Sequence, residues 1–278
     1  MNAALVHAVL ARAVNDPLQL AKWTADPQAL RAMGVDPSSL DLAGLRHFSG
    51  LALKVRHNGL RSAYPQSFRL IDVADLEIEL FAAYAVGHAQ SRQPLAASDE
   101  ARAQALIDFV QHWHDPAVAA QSLLWDLLRH EQTLSQLAVA GDASTDAACA
   151  APTRPSATSV PHVRGAVRLL ELQHDPRQFM PVLRQRAPEL AALATATCQL
   201  CYWRAPGENS VMVVELDDFG FAVMRLADGR RRVADIAFAL GLGRRVTATV
   251  LGLLRQLQQA GLLAFAAGQP SASTGVST

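Results

Sequence analysis

The chain has 278 residues, 25 Lys+Arg against 25 Asp+Glu, and is half hydrophobic. That much apolar surface excludes a wholly disordered chain and suits one large domain or two small ones. The charge balance argues against a general binder of nucleic acid or acidic membranes, which carries a basic excess. Three cysteines, Cys149, Cys198 and Cys201, are too few for a disulfide framework and suit a reducing compartment. The N-terminus lacks a basic n-region, Arg12 and Asp16 interrupt its apolar run, and no stretch reaches the ~18 apolar residues of a spanning helix. The expectation is a cytoplasmic protein with no membrane partner.

In chain order, Leu5, Val6, Val9, Leu10, Ala13 and Val14 form a stripe at helical spacing, ended by Asn15-Asp16-Pro17. Asp41 can cap a long helix carrying Leu42, Leu45, Phe48, Ala52 and Val55 as its apolar set, stopped at Asn58-Gly59. Pro65 opens a short helix, Asp75 can cap the next, and Ser98 caps one with Ala103, Leu106, Ile107 and Val110 inward. A helix over about 117–139 completes a helical N-terminal domain, residues 1–140. Residues 141–161 are rich in Ala, Ser, Thr and Pro and read as a flexible linker; the tail 268–278 is of the same kind and is expected to be disordered.

Residues 162–267 read as an α+β domain, so the fold class is α+β, an all-α domain followed by a winged-helix-like one. Residues 163–173 predict a strand and 177–196 a helix broken near Pro188. Residues 198–204 and 210–216 predict a hairpin. Asp217 caps a following helix that ends at Asp228-Gly229, and two more helices follow, the last closed by Gly261.

Candidate chemistry is sparse. Cys198 and Cys201 match C-x-x-C, but on a strand positions i and i+3 face opposite ways, and no second Cys/His pair builds a zinc site. His112 and His114 diverge on a helix and suit its C-terminal carbonyls better than a metal. His130-Glu131 is not H-E-x-x-H, since Leu134 takes the place of the second His. No nucleophile elbow or phosphate-binding glycine loop is present, which favours binding over catalysis. Arg230-Arg231-Arg232 and Arg244-Arg245 each precede a helix, where cations oppose the dipole. They are either a solvated face or a contact for something anionic. The segment with Arg56, His57, Arg61 and Tyr64 is either an ordinary helix–helix loop or a partner-docking surface.

Residues 198–266 run as strand, Leu216-Asp217, apolar helix, Asp228-Gly229, a Val-Ala-Asp-Ile helix and a last helix ending Gly261-Leu262-Leu263. This order resembles the leader-recognition domain of ribosomal-peptide modification systems, as in the small chaperone of pyrroloquinoline-quinone biosynthesis. Upstream, NGLRSAYPQSFRLIDVADLEIELFAAYA followed by LLWDLLRHEQTL is similar to the partner proteins of multinuclear non-haem iron oxidative enzymes, and the two halves together resemble the partner proteins of methanobactin biosynthesis.

The resemblance implies a non-catalytic subunit in a heterodimer, with no cofactor in this chain and iron in the partner enzyme. It would bind the leader of a Cys-containing precursor while the enzyme oxidises cysteine to an oxazolone and thioamide. In the resembling domains the leader lies between the second hairpin strand and the last helix, which implicates Val211, Val213, Glu215, Leu254, Arg255 and Gln258 here. Arg231 and Arg245 would favour an acidic leader. The alternative is a winged-helix DNA-binding regulator with a helical sensing domain, although residues 201–267 hold only eight Arg against six acids.

Overall fold

The computed structural model describes residues 3–91, 98–139, 154–186, 188–190, 195–241 and 247–266. It is mixed, all-α in its N-terminal part and α+β after it, as the patterning predicts. The chain divides into two compact units: Met1–Glu131 with Pro176–Ala194, and Gln132–Asp175 with Thr195–Thr278.

The first unit is helical: α1 Ala3–Asn15, α2 Pro17–Ala25, α3 Gln28–Ala32, α4 Leu42–His57, α5 Pro65–Val73, α6 Glu77–Ser91, α7 Asp99–Trp113, most of α8 (Ala119–Val139), and α9 Pro176–Leu183. Its starts follow local chemistry. Asp16 and Asp41 accept from Gln19 N (2.9 Å) and Gly44 N (2.8 Å), and Ser98 from Ala101 N (3.2 Å). Pro65 holds the first position of α5, where its missing N–H costs nothing. Asp75 is no cap: it takes φ 54°, a left-handed turn that an Asx residue tolerates, and α6 begins two residues later.

Two apolar clusters hold this unit. One gathers α5–α8 around Phe68, Leu80, Phe81, Leu106 and Leu124, with Phe179 and Leu183 of α9 inside it. The other joins Val9, Leu20, Trp23 and Leu30 at the N-terminal end. Burial in α4 differs from its sequence pattern. Its buried positions include Ser49, Gly50 and His57, whereas Phe48 and Val55 are exposed. A Cβ on Gly50 would lie 2.7 Å from Ala82 N, so α4 reaches the α6 backbone only because residue 50 has no side chain.

The second unit holds strands β1 Val160–Val163, β2 Ala166–Leu172, β3 Cys198–Arg204, β4 Met212–Leu216 and β5 Leu263–Ala266, with helices α10 Asp218–Leu226, α11 Val233–Ala239 and α12 Thr247–Gln259. The strands form an antiparallel sheet ordered β2-β3-β4 and a separate antiparallel β1-β5 pair. Gly165, at φ 76°, turns β1 into β2; a Cβ there would lie 2.2 Å from Arg204 O. One face of the larger sheet, with Cys201 and Trp203, joins Val223, Ile236, Val250 and Leu254 of the three helices. The other, with Leu172, Leu200 and Tyr202, packs on Leu134 and Leu137 from the end of α8.

The units therefore do not follow a break at the linker. Residues 176–194 join the helical unit because Phe179 and Leu183 complete its core. The end of α8 joins the sheet unit because Leu137 covers a sheet face. Part of the expected linker is ordered: Val160–Val163 is a strand, Val233 N donates to Ser159 O (3.0 Å) and Ala234 N to Ala157 O (2.9 Å). Residues 141–153 of that linker and the tail 268–278 lie outside the described residues. The helix expected over 177–196 ends at Leu183, with Pro181 inside its last turns. The trailing residues Leu263–Ala266 form β5 instead of a loose end.

Candidate functional site

The hairpin places β4 at the edge of its sheet. β4 pairs with β3 from Met212 opposite Trp203 to Leu216 opposite Gln199. Asp217 follows at once and caps α10, accepting from Gly220 N at 2.6 Å, so the strand cannot extend. Among the described residues no strand pairs with its other side. An added strand would pair with backbone donors and acceptors on that side.

Strand alternation decides which side chains border the edge. Val211 and Val213 lie on the face of Leu200, Tyr202 and Leu137, away from the three helices. The helix-side residues are Met212, Val214 and Leu216; Met212 is 53% and Val214 37% exposed. The expected groove residues of the strand thus shift by one position, from Val211 and Val213 to Met212 and Val214. Glu215 is exposed on the same alternation as Val213. Leu254 is fully buried in the module core and offers no surface. Arg255 donates through Nη2 to Pro155 O (3.4 Å), and Gln258 is half-buried on the same helix.

The Arg230–Arg232 turn is tied down by carboxylates. Asp228 accepts from Arg230 N (3.0 Å) and Arg231 N (3.1 Å), and its Oδ2 lies 3.4 Å from the Arg231 guanidinium. Those backbone donors and the nearby cation hold the Asp228 carboxyl below its ordinary range. Asp235 accepts from Arg232 N at 3.2 Å. Arg231 remains exposed but already has an anionic neighbour. Arg244 and Arg245 lie outside the described residues.

The segment from Arg56 to Pro65 is largely absorbed by the fold. His57 is buried against Phe81 and Tyr84, its ring edge-on to Tyr84 at 5.1 Å. Tyr64 is buried in the main helical core. Arg61 grips Asp72 through Nη1 (2.7 Å) and Nη2 (3.4 Å) and lies over the Phe68 ring at 5.4 Å. Lys54 pairs with Glu77 and lies 3.6 Å from Asp72, which closes a four-charge network. Arg56 occupies the last turn of α4, and its side chain is not among those described. Of the four docking candidates, His57 and Tyr64 face inward and Arg61 is committed to Asp72.

The C-x-x-C cysteines and the His112 and His114 pair singled out by the sequence are buried in the sheet or turned to backbone carbonyls. Cys198 and Cys201 are both buried, on opposite sheet faces as strand spacing requires. Burial pushes the Cys201 thiol up to about 11, so it stays protonated at neutral pH. His112 and His114 turn their Nδ1 atoms to the carbonyls of Asp108 (2.7 Å) and Val110 (3.0 Å) at the end of α7, the role their position predicts. Among the described residues no group of three or more His, Cys, Asp or Glu is placed to hold a metal ion. None of the helices among them is long and apolar enough to cross a membrane.

Glu131 has a role that spacing did not signal. Its carboxylate accepts from Gln66 N (3.0 Å), Ser67 N (2.9 Å) and Ser67 Oγ (2.6 Å), capping α5 from α8 across 64 residues. Burial raises its pKa, and those three donors oppose the rise without cancelling it. The only available signal was a lone acid on an otherwise apolar helical face. Compared with known proteins, the chain matches no family model and no curated protein.

Proposed function

We propose that the chain is a non-catalytic subunit that binds the leader of a ribosomally made, Cys-containing precursor peptide and presents it to an iron-dependent oxidative enzyme. The observation that supports this reading is the edge of β4, unpaired by any described strand and bordered by exposed Met212 and Val214. An extended peptide adding to such an edge gains affinity from main-chain hydrogen bonds, and alternate side chains supply specificity. The helix-side face would accept apolar leader residues against Met212 and Val214. The iron belongs to the partner enzyme, and two buried cysteines outside any disulfide fit action in the cytoplasm.

The test is to look for a short Cys-containing peptide encoded beside this chain's gene and to measure its binding to the full-length protein by fluorescence anisotropy. Adjacent strand residues direct their N–H groups to opposite sides, so one of Val213 and Val214 points its N–H at the free edge. Val213→Pro and Val214→Pro therefore split into one variant that breaks the β3 ladder and one that removes an edge donor. The edge variant should keep its melting temperature within a few degrees and lose about tenfold or more in affinity. Equal peptide binding by both variants, or binding of duplex DNA with no peptide binding, overturns the reading in favour of another surface or of a regulator.

A further inference from the structure

The outward face of α4 carries Phe48, Leu51 and Val55, exposed by 55%, 37% and 72%, at positions i, i+3 and i+7. That spacing aligns them on one side of the helix. The same helix buries Ser49, Gly50 and His57. Leu42 and Leu45 pack on the N-terminal cluster, yet Phe48, Leu51 and Val55 face out while small and polar groups face in, against what folding alone selects.

The chain's own long undescribed stretches cannot supply a matching stripe. Residues 140–153 and 267–278 hold one large aliphatic residue between them, Val276. Charge indicates what would cover the stripe. From Ala3 to His57 the acids are Asp16, Asp26, Asp36 and Asp41, and each carboxylate accepts a backbone N–H at the start of a helix or helical turn. The bodies of α1 to α4 contain no acid. At the C-terminal half of α4 the Lys54 charge is met by Glu77 and Asp72. At the N-terminal half Arg46 and His47 are exposed beside Phe48.

We propose that this face docks an amphipathic helix of a partner protein, with apolar residues at i, i+3/i+4 and i+7 and acidic residues at the end that meets Arg46 and His47. Helix-in-groove recognition uses this pattern of anchors, and opposite charge at one end fixes direction. A membrane surface fits less well. Three side chains on one helix bury little area, and the Lys54 charge next to Val55 is already met by Glu77 and Asp72. The proposal is independent of leader binding at β4.

The experiment uses the full chain and a synthetic 16-residue helical peptide with leucines at that spacing and glutamates at one end, read by titration calorimetry and by methyl shifts of Leu51 and Val55. Two control peptides carry lysines for the glutamates or the glutamates at the opposite end. The acidic peptide should bind, with Phe48→Ala and Val55→Ala each losing about tenfold and Val139→Ala, at an exposed position elsewhere, losing nothing. Arg46→Glu should weaken binding at low salt and much less at ~0.5 M. Either control binding as tightly as the acidic peptide, binding only to anionic phosphatidylserine vesicles, or concentration-dependent self-association abolished by Phe48→Ala would each overturn the proposal.

Discussion

The segment 56–73 and the strand β4 both look available to a partner, yet the fold treats them in opposite ways. The first brings cations, a histidine and a tyrosine, and the fold consumes them: Arg61 in Asp72, His57 and Tyr64 in the core, and the start of α5 in Glu131. The second brings mostly apolar residues, and no described strand pairs with one of its edges. A side-chain charge can be satisfied by any opposite charge that tertiary structure delivers. Backbone edge groups can be met by water, but an added strand pairs a whole row of them at once, and Asp217 turns the chain into a helix directly after β4. Availability is therefore better judged from topology than from side-chain character.

The largest effect should come from the support beneath β4. Leu137, buried at the end of α8, packs with Leu200, Tyr202 and Val213. Leu137→Ala should cost about 2–5 kcal/mol, the range for a buried leucine that leaves a cavity. Urea unfolding measures it. Hydrogen exchange should localise the loss to β3 and β4 and spare α5; a loss spread evenly through both regions would break the comparison. For the same reason a fragment 161–278 lacks this support, and it should be less stable than the intact chain.

Next is the long-range cap. Glu131→Ala leaves the Gln66 and Ser67 donors without their acceptor, at about 1–3 kcal/mol, whereas Glu131→Gln keeps one acceptor oxygen and should cost less. Denaturation midpoints of the pair check this; equal losses would mean that packing, not capping, is the role of the side chain. Arg61→Glu is smaller, about 0.5–1 kcal/mol, because the pair with Asp72 is partly exposed. It turns attraction into repulsion, so part of its cost should be recovered by Asp72→Asn in a double-mutant cycle.

What was legible in the sequence was local. The caps at Asp41, Ser98 and Asp217, the proline start of α5, the hairpin at 198–216 and the inward set of α7 all lie within a few residues of their signals. What was not legible was decided by distant partners. Part of the α4 apolar set, Phe48 and Val55, is left exposed where Gly50 lets the helix meet the α6 backbone at Ala82. The pairing of β1 with β5 joins residues a hundred apart, and α9 leaves its sequence neighbours for the helical core. The one-residue error in the β4 face has the same origin. A strand of period two fixes alternation but not which set meets the helices.

The smallest effect separates the two acids that hold the 56–73 segment. Burial pushes Glu131 above its ordinary range, so the folded state holds that proton more tightly than the unfolded chain. Its contribution is fullest below about pH 4, near the unfolded value, and declines as pH rises through the folded value. Asp72 behaves oppositely. Burial alone would raise it, but the hydrogen bond and charge of Arg61, with Lys54, outweigh burial and hold it low. Its contribution is present above the unfolded value and lost as pH falls through the folded one. Wild-type stability minus that of Glu131→Gln should therefore fall as pH rises from about 4 to 7, and wild type minus Asp72→Asn should rise between about pH 2 and 5. Thermal melts across this range measure both differences. Two slopes of the same sign would mean that Glu131 is held as a carboxylate by its three donors after all, and that capping dominates burial at the start of α5.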